Sequence, residues 1–150
     1  MKWSDEYSVG IEEIDQQHKV LLDMFAAVEH SIESAGTWSD VHYGLVKLKE
    51  FANRHFVLEQ ALMRMFGYPE LASHMATHKY FFDKLNELEH RSLGVTTRTE
   101  TTEFLCDWFK IHICKTDREY AEYILAGAKI IRSKAPTKLT LIRPMSRLAS

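Results

Sequence analysis

Hydrophobic residues recur at intervals of three and four along most of the chain, the spacing that gathers them on one face of an α-helix. One run reads Ile14, His18, Leu21, Phe25, Val28, Ile32. A second reads Val41, Leu45, Leu48, Ala52, His55, Glu59, Leu62, Phe66, and a third Leu71, His74, His78, Phe81, Leu85, Leu88. No stretch alternates with a period of two, so strands are not expected. Gly- and Pro-containing breaks at 34–40, 66–70 and 92–97 separate the runs. Asp40 or Ser39 is expected to cap the second helix, and Pro69 to sit in the first turn of the third. Residues 97–100, "TRTE", read as a capping box for the fourth. Short connections make successive helices antiparallel neighbours. The prediction is an all-α fold, an up-down-up-down antiparallel four-helix bundle with these runs facing its axis.

The fourth run changes frame partway. Its buried face is Phe104, Leu105, Trp108 and His112 at first, then Asp117, Tyr120, Ala121, Ile124 and Ala128. Asp117 follows His112 by five residues, which on a regular helix turns it about 140° away. A π-type turn between 112 and 117, closed by an i→i+5 bond, would absorb the extra residue and aim Asp117 at the same interior point as His112.

The seams hold the wrong residues for a plain core. His18, His55, Glu59, His74, His78 and His112 occupy places where Leu or Ile would ordinarily pack, and the π turn adds Asp117. A lone buried histidine is usually a hydrogen-bonded core residue. Five converging from four helices, with carboxylates among them, would cost too much stability unless something binds them. Seven ligands overfill a tetrahedral zinc site, and oxygen-only calcium or magnesium sites do not use imidazoles. Imidazole with carboxylate suits iron, and helix bundles are where paired iron sites are built. Two octahedral irons offer about a dozen positions. Five imidazoles, two bridging carboxylates and one bridging oxo or hydroxo leave one of them open, enough for a small molecule such as O2.

Composition changes this picture little. A chain of 150 residues with 45% hydrophobic and 27% charged content is expected to form one domain with a sizeable core. The formal net charge of −2 argues against a nucleic-acid partner. No apolar run is long enough to span a membrane and the N-terminus lacks a hydrophobic signal core, so a cytoplasmic address is expected. Cys106 and Cys114 lie eight residues apart, about 12 Å along a helix. That is too far for a disulfide between them, and neither has a zinc-binding spacing. His30, His42 and His90 fall off the seams or near helix ends and are expected in solvent.

The motifs "DQQH" (15–18), "HFVLE" (55–59), "HMATH" (74–78) and "HICKTD" (112–117) appear in order on separate helices. In this the chain resembles the bacterial hemerythrins, over about residues 3 to 125. The resemblance implies two non-haem iron ions bridged by oxo/hydroxo and by Glu59 and Asp117. His74, His78 and His112 would hold one iron, His18 and His55 the other, where the vacancy lies. It implies reversible O2 binding there in a dry pocket, with Trp108 and Phe109 as expected walls. Gln60 stands where relatives often carry a second glutamate and is expected to point off the axis. A di-iron oxidase, peroxidase or nitric-oxide-handling enzyme is the alternative. The neutral-rich ligand set argues against it, and iron storage or a purely structural role is weaker still.

The bundle is expected to occupy residues 1–131, with 132–150 as a basic tail. After Gly127 the chain carries six basic residues and no acidic one. A solvated extension is the simple expectation for it. An electrostatic handle for an anionic membrane surface or an oxygen-using enzyme is the sharper one.

Overall fold

A computed structural model describes residues 2–34, 37–91 and 95–134. They form α1 (Glu12–Glu33), α2 (Trp38–Phe66), α3 (Leu71–His90), α4 (Val95–Ile111), a π-helical segment (His112–Asp117) and α5 (Arg118–Lys134). The last three are consecutive and make the fourth rod of the expected bundle, and the described residues contain no strand. Helix α1 packs on α2 and α4, and α3 on α2 and α4, which closes the bundle around one core.

The seams are where the spacing put them. Ile14, Leu21, Phe25 and Val28 of α1, Val41, Leu45, Leu48 and Ala52 of α2, and Phe81, Leu85 and Leu88 of α3 are all buried. The runs loosen toward their ends, where Ile32 and Leu71 are half-buried. Beyond Glu59 the fully buried residue is Met63, with Leu62 and Phe66 half-buried beside it. Positions three and four residues on lie side by side on a helix, and tertiary packing selected the second.

The helix ends differ more. Thr37, not Ser39 or Asp40, caps α2: its hydroxyl accepts from the Asp40 N–H at 3.3 Å, and the Asp40 carboxylate accepts from the Thr37 N–H at 3.0 Å. This is a capping box with an aspartate in the usual glutamate place. Pro69 lies in the turn before α3, whose N-cap is Glu70, because the helix begins two residues later than expected. Thr97–Glu100 lies inside α4, where the Thr101 hydroxyl donates to the Thr97 carbonyl at 2.7 Å, so it is not a cap. Gly67 ends α2 at φ 65°, a left-handed conformation that lets the Tyr68 N–H reach the Met63 carbonyl at 2.9 Å.

An N-terminal arm folds back onto α1. The buried Asp15 carboxylate accepts from the Ser8 hydroxyl at 2.6 Å and from the Val9 and Gly10 N–H groups at 2.8 and 3.4 Å. Arg118 donates to the Glu6 carbonyl, tying the arm to the start of α5. No helix among the described residues is long and apolar enough to cross a membrane. Helix α5 runs past the expected boundary at 131 to Lys134. From residue 135 the basic tail lies outside the described residues.

Candidate metal centre

The frame shift in the fourth rod is resolved as the spacing required. His112 opens and Asp117 closes the one π-helical segment among the described residues, and both are buried. The wider i→i+5 turn carries one extra residue through the helix and returns the next to the same face. Ile113 is buried beside them, while Lys115 faces solvent.

All seven expected residues meet in the core, each no more than 3% exposed. They form two groups, each with ligand atoms within 4.8 Å of one another: Glu59, His74, His78, His112 and Asp117, and His18, His55, Glu59 and Asp117. The carboxylates belong to both, and their oxygens divide between them. Glu59 Oε2 lies 3.1 Å from His78 Nε2 and 3.7 Å from His74 Nε2, while Oε1 lies 3.5 Å from His55 Nε2 and 4.0 Å from His18 Nε2. Asp117 Oδ1 lies 3.1 Å from His112 Nε2 and 3.5 Å from His74 Nε2, with Oδ2 3.3 Å from His18 Nε2. His30, His42 and His90 are exposed and take no part.

The polar core is not satisfied by protein alone. Both nitrogens of His18, His74 Nδ1, Glu59 Oε2 and both Asp117 oxygens are buried without a hydrogen bond. The Nε2 atoms of His74 and His78 approach to 3.1 Å, and those of His78 and His112 to 3.0 Å. A single N–H can serve one such contact. Three ring nitrogens and a carboxylate oxygen converging on one point call for a cation between them. The donor set therefore fits a bound metal.

Burial holds the His18, His55, His78 and His112 imidazoles below their ordinary value, His55 at about 4, against the pull of Glu59. Burial would push the Glu59 carboxyl up, but the surrounding His55, His74, His78 and His112 rings outweigh it and hold the group ionised. Burial and the Glu59 charge push Asp117 well up. Without metal the two carboxyls are thus split, one ionised and one protonated. Burial, reinforced by Glu59, raises the Tyr120 phenol, which stays protonated and donates to Glu59 Oε1 at 2.9 Å.

Acid is therefore expected to unfold the metal-free protein from just below neutrality. Between 6.5 and about 4, His55 stays neutral in the fold but protonates in the unfolded chain, so stability falls as pH falls. That group alone removes about 3 kcal/mol across the window. His18, His78 and His112 act in the same sense, and the raised Asp117 carboxyl opposes them by taking up a proton in the fold. Urea midpoints of metal-free protein at pH 7 and pH 5 measure the difference, and equal midpoints would contradict it.

Around the site, Trp108 stacks on His112 with ring centres 4.2 Å apart and 16° between planes. Phe109 presents its edge to His18 at 6.3 Å and to Phe25 at 4.4 Å. With Tyr7, Leu22, Lys110 and Ile113, Phe109 also lines a shallow surface cleft too tight to hold a water molecule. Sequence reasoning missed the polar partners of the rings. Gln17 Oε1 lies 3.1 Å from His55 Nδ1, and the Thr77 hydroxyl 3.3 Å from His112 Nδ1. Gln60, expected to point away, has its amide 3.2 Å from His78 Nδ1. Only their positions beside or one turn from a ligand hinted at this. Cys106 and Cys114 are unpaired and half-buried.

A family model described as "Hemerythrin HHE cation binding domain" matches residues 9–124. The bacteriohemerythrin of Clostridium acetobutylicum is 28% identical over 129 residues, covering 80% of this chain and 98% of the relative. That of Stenotrophomonas maltophilia is 29% identical over 125 residues, covering 83% of this chain and 81% of the relative. A crystal structure of wild-type hemerythrin matches with a TM-score of 0.73 at 26% identity, covering 83% of this chain and 97% of that one.

Proposed function

Because the chain belongs to the hemerythrin family, we propose that its core holds two iron ions and that it binds O2 reversibly, as a carrier, a store or a supplier to oxygen-using enzymes. As a member of this family it is a binding protein rather than an enzyme. One observation carries the reading: each of two buried carboxylates turns one oxygen to the His74–His78–His112 group and the other to the His18–His55 group. A single ion needs no such division, whereas a bridged pair does.

On this reading His74, His78 and His112 hold one ion, His18 and His55 the other, and Glu59 and Asp117 join them. Bound there, a ferrous pair would supply the two electrons that reversible O2 binding calls for. The protein's part is to keep the open position dry and to hold its protons away. Phe109 and Phe25 stand on the His18 side and exclude water there. Trp108 stacks on His112 and so belongs to the three-histidine side, where it fixes a ring rather than walls the vacancy. Tyr120, far from giving up its proton, keeps it on the hydrogen bond to Glu59 and holds that carboxylate in its bridging orientation.

The test is an anaerobically reduced, iron-loaded sample exposed to O2 and then degassed. A visible absorption band that appears with O2 and disappears on degassing, with two irons per chain, is the expected result. Irreversible bleaching accompanied by substrate turnover would favour the oxidase or peroxidase instead.

A further inference from the structure

An imidazole offers Nε2 to a cation only when that nitrogen is bare, so the proton must sit on Nδ1 and needs an acceptor there. A carboxylate acceptor makes the ring a stronger donor, and an uncharged one leaves it weaker. Three of the five histidines have Nδ1 partners, and all three partners are neutral: Gln17, Gln60 and Thr77. Gln17 is held from both ends. Its amide nitrogen donates to Glu13 Oε1 at 3.1 Å, which turns its oxygen toward His55. The Thr77 hydroxyl donates to the His74 carbonyl at 2.7 Å, which leaves its lone pairs for His112.

Gln60 differs, because its amide nitrogen is the end nearest His78 Nδ1. In that arrangement the amide donates to a bare Nδ1, and the ring carries its proton on Nε2, 3.1 Å from Glu59 Oε2. Rotating the amide half a turn presents its oxygen instead, accepts an Nδ1–H, and bares Nε2 for a cation. The ring is neutral in both states and its proton changes nitrogen. Glutamine can serve both, while an ionised glutamate can only accept.

On the reading that the core holds an iron pair, we infer that Gln17 and Gln60 are positioning residues whose uncharged amides set the proton tautomers of His55 and His78 and keep these rings weak donors, biasing bound iron toward the ferrous state. Gln60 also lets His78 accommodate the metal-free core.

Gln60→Glu and Gln60→Leu test this. Gln60 is half-buried, so a charge is tolerable there. In the iron-loaded protein, Gln60→Glu is expected to raise the ferric-to-ferrous ratio at fixed potential about tenfold, which is ~59 mV for a one-electron couple. Gln60→Leu is expected to weaken anaerobic cobalt(II) binding roughly ten- to a hundredfold, and Gln60→Glu to restore it. In metal-free protein, nitrogen NMR is expected to show His78 protonated on Nε2, moving to Nδ1 in Gln60→Glu. A Gln60→Glu variant with unchanged potential and an unchanged His78 tautomer overturns the inference, whether or not Gln60→Leu folds. Wild-type protein that binds two irons but not O2 overturns the carrier reading alone, since neither cobalt affinity nor the tautomer depends on O2.

Discussion

Glu59→Ala is expected to lower the iron content from two ions per chain to fewer than one and to abolish O2-dependent absorption. Glu59 belongs to both ligand groups and turns a different oxygen to each. Its loss therefore removes a ligand from both ions and half of the charge that would neutralise them. Removal of any one histidine should be milder, since it touches only one group. The variant also leaves the buried Tyr120 hydroxyl without its acceptor, at a cost of roughly 1–3 kcal/mol. His90→Ala is the matched control. His90 is exposed and, among the described residues, bonds locally to the Asn86 carbonyl at 2.6 Å, so iron content should be unchanged. Iron analysis after anaerobic reconstitution decides the matter. Two ions retained in Glu59→Ala would mean the carboxylates do not bridge.

Stripping the metal should destabilise the fold more than any single substitution. Without cations the core contains an ionised Glu59, a protonated Asp117 and the neutral rings of His18, His55, His78 and His112, with several buried atoms unpaired. A ligand present at a thousandfold its dissociation constant stabilises the folded state by about 4 kcal/mol. Two such sites would together lower Tm by roughly 15 °C or more when emptied, at about 2–4 °C per kcal/mol for a domain of this size. Thermal unfolding of iron-loaded and chelator-treated protein, followed by circular dichroism, measures this. Equal Tm values would show that the interior is satisfied without metal.

Much of this was legible in the chain because helical periodicity is a local property. The spacing of Ile14, His18, Leu21 and Phe25 fixes which face of α1 is buried before any partner is known. The five-residue step from His112 to Asp117 is equally local, and it demanded the π-helical turn that is present. Helix termini were less legible. Thr37, Ser39 and Asp40 all have capping chemistry, and the choice depends on where α2 leaves the turn. The Thr97–Glu100 pattern matched a cap but fell inside α4.

What the sequence determined by itself is the bundle and the identity of the seven polar seam residues. Both follow from periodicity, and from the cost of placing charge where hydrocarbon belongs. Only the tertiary structure decided how those residues divide. The split of the Glu59 and Asp117 oxygens between two histidine groups depends on helix rotations about the common axis, which spacing along one helix does not encode. The same holds for the pairing of Gln17 with His55 and of Gln60 with His78. These contacts join different helices across 38 and 18 residues, and they exist because packing brings those faces together.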